Sequence, residues 1–276
     1  MKISKKTANA KINLGLQVLQ KRIDGYHNIN TVFAKINLCD FIEFVPSAQT
    51  KIHIEPYFAI ELEDNLIYKA IQKFNQKFNN DFQFDINLIK NIPSGAGLGG
   101  GSSDAATTLL FLNEFSNNLA NKNDLHSIAM QLGSDVPFFL EKGMAVGNGR
   151  GEILDYFTCE FPYYVLIVNP GIHISTPLAY KKLNRNENAS LPINFKKIIC
   201  ENSDVKLLIN DFEDFAMDEF PQLLNIKNKL NELGAELSLM SGSGSTMFGL
   251  FNNIELAQKA RTAFPEYFTY IAEFVD

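Results

Sequence analysis

Between Lys11 and Val18 the apolar residues Ile12, Leu14, Leu16 and Val18 alternate with Lys11, Asn13, Gly15 and Gln17. This two-residue period is that of a strand with one buried and one open face, and it puts Lys11 and Asn13 together on the open one. Arg22-Ile23-Asp24-Gly25-Tyr26 supplies an Asp-Gly turn. Ile29 to Ile36 is then expected to return as the second strand of a hairpin, with Tyr26 and His27 just past the turn. Strands are expected over Asp40–Val45, Ile52–Glu55 and Phe82–Leu88, and a helix over Asn65–Phe78, where apolar residues recur at helical spacing. A glycine-rich stretch, Pro93 to Ser103, leads into an amphipathic helix over Asp104–Phe115. A second helix, Asp124–Leu132, stops at Gly133, and Ser134-Asp135-Val136-Pro137 carries the polar cap and proline of another helix start, so Asp135 is expected near a helix N-terminus.

Past a turn at Gly147–Glu152 the pattern changes. It predicts a strand over Tyr163–Asn169, helices around Asp204–Phe215 and Phe220–Leu233, and strands over Glu236–Met240 and Thr246–Phe251. A helix over Ile254–Phe264 and a strand over Phe268–Phe274 follow. With the paired helices collapsed, the order is β-α-β-β-α-β, that of a ferredoxin-like unit. The chain therefore reads as α+β with two domains, 1–155 and 156–276. Asn184–Ser190 reads as a surface loop.

The 276 residues are 46% hydrophobic and 20% charged, which describes a chain that buries a core and excludes a disordered one. A net charge of −6 argues against sequence-independent binding to nucleic acid or to an anionic membrane, so any anionic ligand must be held by local groups. The longest apolar run, Tyr163 to Val168, is far shorter than the roughly 20 residues of a membrane span, and the stretch after the mildly basic Met1–Ala10 alternates apolar and polar residues and so lacks the continuous apolar block of a signal peptide. Cys39, Cys159 and Cys200 are far apart and never form a CxxC pair, so they are expected as reduced, structural cysteines. These features predict a cytoplasmic protein.

The segment Pro93-Ser94-Gly95-Ala96-Gly97-Leu98-Gly99-Gly100-Gly101-Ser102-Ser103 holds five glycines in the seven positions 95–101. Without Cβ atoms the backbone can turn sharply and meet a ligand closely. A helix start behind it brings unpaired N–H groups and a positive dipole end, which together suit polyphosphate, and Ser102 and Ser103 add hydroxyls. The bland alternative is a turn that merely packs closely. The loop is not a Rossmann fingerprint, since no acidic residue ends a second strand about 20 residues on, nor a Walker A loop, since Gly101 and not Lys precedes Ser102-Ser103.

Three blocks, Ala8-Asn9-Ala10-Lys11-Ile12-Asn13-Leu14 with Asp24-Gly25-Tyr26-His27, then Pro93–Ala106, then Gly133-Ser134-Asp135-Val136-Pro137-Phe138-Phe139, occur in this order. Together they resemble the superfamily of galactokinase, homoserine kinase, mevalonate kinase and phosphomevalonate kinase. Ser241-Gly242-Ser243-Gly244-Ser245-Thr246 looks like its C-terminal glycine motif. Within the superfamily, Lys11-Ile12-Asn13 followed by Asp24-Gly25-Tyr26-His27 is most similar to the 4-diphosphocytidyl-2-C-methyl-D-erythritol kinase family of the non-mevalonate isoprenoid pathway.

The resemblance spans nearly the whole chain and implies the superfamily's two-domain small-molecule kinase fold. It also implies ATP, accompanied by Mg²⁺, as phosphoryl donor and an alcohol carrying a cytidine diphosphate group as acceptor at its 2-hydroxyl. Lys11 and Asp135 match the catalytic pair. Tyr26 and His27 match an aromatic ring that stacks on cytosine and a histidine that bonds its edge. Ser134 stands where the family often has Ala.

Phosphoryl transfer asks little covalent chemistry of a protein: in-line placement of the alcohol and stabilisation of developing negative charge. On the implied roles, Asp135 accepts or orients the hydroxyl proton, and Lys11 holds that hydroxyl and the γ-phosphate while keeping Asp135 ionised. The competing reading of Asp135 is an ordinary helix cap, and of Lys11 a solvated strand lysine. Tyr180 is a candidate second face for the base and Thr176 a nearby hydroxyl, against simple helix capping by Thr176. Gly242, Ser243 and Gly244 support phosphates or form a flexible hairpin turn, and Gly147–Gly151 reads as a turn only. His53, His126 and His173 show no metal-ligand spacing, so no protein-built metal site is expected. The rival functions are a kinase for a homoserine- or mevalonate-type alcohol, a non-catalytic nucleotide sensor, and, more weakly, a dinucleotide oxidoreductase.

Overall fold

The computed structural model describes residues 3–57, 59–183, 191–201 and 204–276; the expected loop Asn184–Ser190 lies outside these. In chain order the elements are β1 (Ser4–Lys21), β2 (His27–Pro46), β3 (Lys51–Glu55), α1 (Leu66–Phe78), β4 (Phe84–Ile89), α2 (Gly100–Phe115), α3 (Lys122–Leu132), β5 (Met144–Asn148) and β6 (Ile153–Phe157). They continue as β7 (Tyr164–Asn169), α4 (Thr176–Lys182), α5 (Phe195–Cys200), α6 (Glu213–Glu219), α7 (Pro221–Glu232), β8 (Leu237–Met240), β9 (Met247–Phe251), α8 (Ile254–Arg261) and β10 (Phe268–Ala272). The chain forms two compact units, one from Met1–Ala10, Leu38–Ile92 and Gly99–Lys142, the other from Lys11–Asn37, Pro93–Leu98 and Gly143–Asp276. β1 and β2 thus each contribute residues to both.

In the first unit β4 lies between β3, to which it runs parallel, and the later half of β2, to which it runs antiparallel. Helices α1, α2 and α3 pack together. Aromatic rings join sheet to helix: Phe44 of β2 stacks on Phe111 of α2 at 4.0 Å between centroids, and Phe84 of β4 meets Phe111 edge-on at 5.2 Å. The helix starts are capped locally. Asn65 accepts the Ile67 N–H at 2.9 Å, and Asn121 and Asp124 form a capping box at the start of α3.

The second unit contains an antiparallel sheet in the order β10-β7-β9-β8. With α8 between β9 and β10 and helices between β7 and β8, this is the β-α-β-β-α-β unit expected from sequence. Its core gathers Leu166, Val168, Phe212, Leu223, Leu230, Met247, Phe251 and Phe264. The early half of β2 pairs with β5, and β5 with β6.

Four expectations need correction. The polar face of β1 is not open: Lys11 and Asn13 are 3% and 2% exposed. The strand's outer edge is instead bonded, with the Leu16 N–H donating to the Ile209 carbonyl at 2.7 Å and the Val18 N–H to Asp211 Oδ2 at 2.6 Å. Residues 204–215 are not one helix but a 3₁₀ turn, Val205–Leu207, a bridge at Asn210 and only then α6. Val205, Leu208, Phe212 and Ala216 are buried as a helical stripe would require, but Asn210 and Asp211 spend their side chains on tertiary hydrogen bonds and break the helix. Gly147, read as part of a turn, belongs to β5. Finally, Cys159 and Cys200, Cα atoms 5.4 Å apart, form a disulfide, which leaves Cys39 as the free cysteine. Their separation of 41 residues hides this pairing in the sequence.

Candidate functional site

In the second unit the β1 segment holds a chain of short polar contacts. Lys11 Nζ donates to Asn13 Oδ1 at 2.7 Å, Asn13 Nδ2 donates to Thr31 Oγ1 at 2.8 Å, and Thr31 Oγ1 donates to the Gly15 carbonyl at 2.6 Å. The ammonium lies 5.4 Å from the centre of the Phe33 ring. Lys11 is therefore no solvated strand lysine. Its long side chain is held in one place by buried neighbours, a condition that suits a cation aimed at a ligand.

Two glycine segments interlock beside it. Ser241 Oγ donates to the Gly97 carbonyl at 2.9 Å and accepts the Asn13 N–H at 3.3 Å. The Thr246 N–H reaches the Ala96 carbonyl at 3.3 Å, and the Lys11 N–H reaches the Leu98 carbonyl at 2.9 Å. Gly97, at φ +78°, comes so close to the Ser241 carbonyl that a Cβ would collide with it. Gly242 approaches Lys11: a Cβ there would stand 3.6 Å from Nζ and 3.3 Å from Asn13 Oδ1. The Ser241–Thr246 segment is the hairpin turn between the antiparallel strands β8 and β9, but it is a packed one, for Ser241, Ser245 and Thr246 are fully buried. Asn210 Nδ2 fastens it by donating to the Met240 and Gly242 carbonyls at 2.7 and 2.8 Å. Ser243 Oγ lies 2.8 Å from Thr176 Oγ1. Thr176 is the first residue of α4 and Ser175 occupies its cap position, so Thr176 is not a cap.

The rest of the candidate phosphate-binding segment, Gly99–Ser103, belongs to the first unit. Gly99, left-handed at φ +70°, is the cap of α2 and has no side chain to satisfy the helix start. α2 begins at Gly100, four residues before the sequence pattern suggests, because helical periodicity is invisible across bare glycines. The first-turn N–H groups of such a helix have no intrahelical acceptor, which supports an anion site there. Asp135, also in the first unit, is half-buried in the turn after α3. The expected helix behind it is only a 3₁₀ turn, Pro137–Leu140, capped at Val136. Asp135 is therefore not the helix cap, and the helix N-terminus expected beside it is one short turn.

The candidate base-binding residues lie in the second unit. His27 opens β2 and its ring is parallel to Tyr180 at 5.5 Å, with 12° between planes. Tyr180 also takes Phe212 edge-on at 4.9 Å. Tyr26 is 56% exposed, with the Arg150 guanidinium 4.7 Å from its ring centre. Arg150 was hidden in a stretch that reads as a mere turn. Thr31 and Asn210 were also missed, because buried hydrogen-bonding residues leave no periodic signal; Ser241 was legible only as part of the C-terminal glycine motif. Among the described residues no group of three His, Cys, Asp or Glu side chains is placed to hold a metal ion, and no helix is long and apolar enough to cross a membrane.

Residues 65–143 match the family model of the GHMP kinases N terminal domain, and residues 189–269 that of the GHMP kinases C terminal. The 4-diphosphocytidyl-2-C-methyl-D-erythritol kinase of Thermodesulfovibrio yellowstonii is 40% identical, with 96% of each chain covered. The enzyme of that name from Chlorobium phaeobacteroides is 41% identical over 95% of this chain and 93% of its own. A crystal structure of a 4-(cytidine 5'-diphospho)-2C-methyl-D-erythritol kinase superposes with a TM-score of 0.86 at 33% identity, over 99% of this chain and 100% of its own.

Proposed function

The chain belongs to the 4-diphosphocytidyl-2-C-methyl-D-erythritol kinases, within the GHMP kinases, and from that membership we propose that it transfers the γ-phosphoryl group of ATP to the 2-hydroxyl of 4-diphosphocytidyl-2-C-methyl-D-erythritol, in the non-mevalonate route to isoprenoid precursors. The single observation that carries the reading is the buried Lys11–Asn13 pair set against two interlocked glycine segments. A fixed cation beside closely approaching bare backbone is what transfer of a charged phosphoryl group needs, since catalysis here is mostly positioning and charge stabilisation.

In this reading Pro93 to Ser103 hold the ATP phosphates through backbone N–H groups and the Ser102 and Ser103 hydroxyls, and Gly242, Ser243 and Gly244 support them. Mg²⁺ arrives bound to ATP as part of the substrate. Lys11, oriented by Asn13, holds the γ-phosphate and the acceptor hydroxyl; Asp135 orients or accepts the hydroxyl proton. Tyr26 stacks on the cytosine, His27 bonds its polar edge, and Tyr180 and Thr176 contribute a second ring surface and a hydroxyl. The two family-model matches, one ending at residue 143 and the other starting at 189, leave room for the proposed division near residue 155, with 1–155 as the N-terminal kinase domain and 156–276 as the C-terminal ferredoxin-like one. A cytoplasmic location follows from the same reading.

The test is ADP release from Mg-ATP with 4-diphosphocytidyl-2-C-methyl-D-erythritol, beside homoserine and mevalonate, for wild type, Lys11→Met and folded Asp135→Asn. Turnover with the cytidine-bearing alcohol alone, reduced at least about 100-fold in both variants, is the expected result. Turnover with another alcohol instead overturns the substrate, and ATP binding with no turnover would make the chain a nucleotide sensor.

A further inference from the structure

Inside the first unit, Asp40 of β2, Lys90 just past β4 and Asp104 of α2 form a charged cluster that the roles assigned so far do not use. Lys90 Nζ donates to Asp104 Oδ2 at 2.8 Å and, in a shorter contact, to Asp40 Oδ2. Asp40 Oδ1 also accepts the N–H groups of Asn91 at 2.7 Å and Ile92 at 2.8 Å. Asp104 Oδ1 receives no donor from the described residues. The three side chains are 8%, 0% and 5% exposed for Lys90, Asp40 and Asp104.

One buried cation thus faces two buried carboxylates. Fully ionised, the cluster carries a net negative charge where water cannot solvate it; with one carboxyl protonated it is neutral. The proton belongs on Asp104, since Asp40 has three donors and Asp104 has one. Burial pushes the Asp104 carboxyl up to about 7, with Lys90 opposing the rise and Asp40 adding to it. The cluster lies under the first turn of α2: Lys90 Nζ is 3.2 Å from where a Cβ on Gly100 would stand.

Other charged groups around α2 are occupied elsewhere. On α1, Lys69 pairs with Asp64, Lys73 bonds Gln131, and Lys77 pairs with Asp124 of α3. His126 of α3 faces solvent, and the 3₁₀ turn Pro137–Leu140 has no ionisable side chain. On the strands Lys6 pairs with Glu114, Lys5 with Glu43 and His53 with Asp85.

We propose that Asp104 is a proton-linked positioning residue of the phosphate loop, protonated whenever polyphosphate occupies the first turn of α2. The inference rests on the kinase reading, which puts ATP phosphates at that turn. Phosphate charge arriving above the cluster disfavours a second negative charge below it, so binding draws a proton onto Asp104, and by reciprocity a protonated Asp104 favours binding. Affinity for Mg-ATP is at full strength below the carboxyl's own pKa. It weakens as pH rises through it, by up to about tenfold per pH unit for one linked proton.

The experiment is titration calorimetry of Mg-ATP, with Mg²⁺ in excess, in buffers of different ionisation enthalpy, and of Kd from pH 6 to 9 for wild type and Asp104→Asn. Expected are uptake of a substantial fraction of a proton per ATP at pH 8 and a wild-type Kd that rises several-fold or more between pH 7 and 8.5. In Asp104→Asn the profile is flat, and at pH 8.5 the variant binds more tightly than wild type. Mg-ATP binding without proton uptake, or the same pH profile in Asp104→Asn, overturns the inference and leaves the kinase reading intact. Absence of Mg-ATP binding overturns both. Should the variant not fold, proton uptake by the wild type decides alone.

Discussion

Gly97→Ala tests the contact between the two glycine segments. Gly97 sits at φ +78°, and an added Cβ would run into the Ser241 carbonyl and stand 3.2 Å from the Gly244 carbonyl. Both obstacles are backbone and cannot swing aside. Gly25 is the internal reference, because it has φ +86° but nothing within 4 Å of its Cβ position. Each substitution pays about 1 kcal/mol for a left-handed alanine. Gly97→Ala must in addition part the segments, weakening the Ser241 Oγ–Gly97 and Thr246–Ala96 hydrogen bonds at roughly 1 kcal/mol each, for about 3 kcal/mol in total. At about 2 to 4 °C per kcal/mol for a chain of this size, Gly25→Ala should lower Tm by about 3 °C and Gly97→Ala by roughly 6 to 12 °C. Paired thermal melts followed by circular dichroism measure the difference, and equal Tm shifts in the two variants would refute the interlocked arrangement. On the kinase reading, Gly97→Ala should also raise the KM for Mg-ATP.

Asp104→Asn should stabilise the protein at alkaline pH. A carboxyl whose pKa folding raises from 3.8 to about 7 contributes stability below pH 3.8 that is lost as pH climbs to about 7. The gain in Tm over wild type should therefore be larger at pH 8 than at pH 5, and a gain independent of pH would contradict the cluster's charge count. Thiol titration of the denatured, unreduced protein should find one reactive group, Cys39, and three after reduction; three from the outset would remove the Cys159–Cys200 pairing. Tyr26→Ala should raise the KM for the cytidine substrate by about 5- to 150-fold while the KM for Mg-ATP holds, since stacking on a base is worth about 1 to 3 kcal/mol. An unchanged KM would take Tyr26 out of base recognition.

The features legible along the chain are those written in local patterns. Alternation marked β1 and the hairpin to β2, helical spacing marked α1, α3, α7 and α8, and the order of strands and helices after residue 155 foretold the ferredoxin-like sheet. Glycine density marked the loop for which phosphate binding is proposed. What failed were inferences about surroundings. Lys11 and Asn13 alternate like exposed residues, yet they are buried among Thr31, Phe33, Ser241 and Gly242, which come from β2 and from a segment more than 200 residues away. Residues 204–215 have a helix's apolar spacing but fold around tertiary hydrogen bonds from Asn210 and Asp211.

Periodicity, turn chemistry and motif order depend on neighbours a few residues apart, so element types, the fold class and the kinase family could be read from the amino acids in order. Only the tertiary structure decided which polar groups are buried together. It joined Ser241 to Gly97 across 144 residues, Asp104 to Lys90 across 14 and to the Lys90 partner Asp40, and Cys159 to Cys200. Such pairings bring together groups from separate elements, and the energy that makes them matter, the cost of burying charge or of crowding backbone against backbone, exists only once the chain has closed around them.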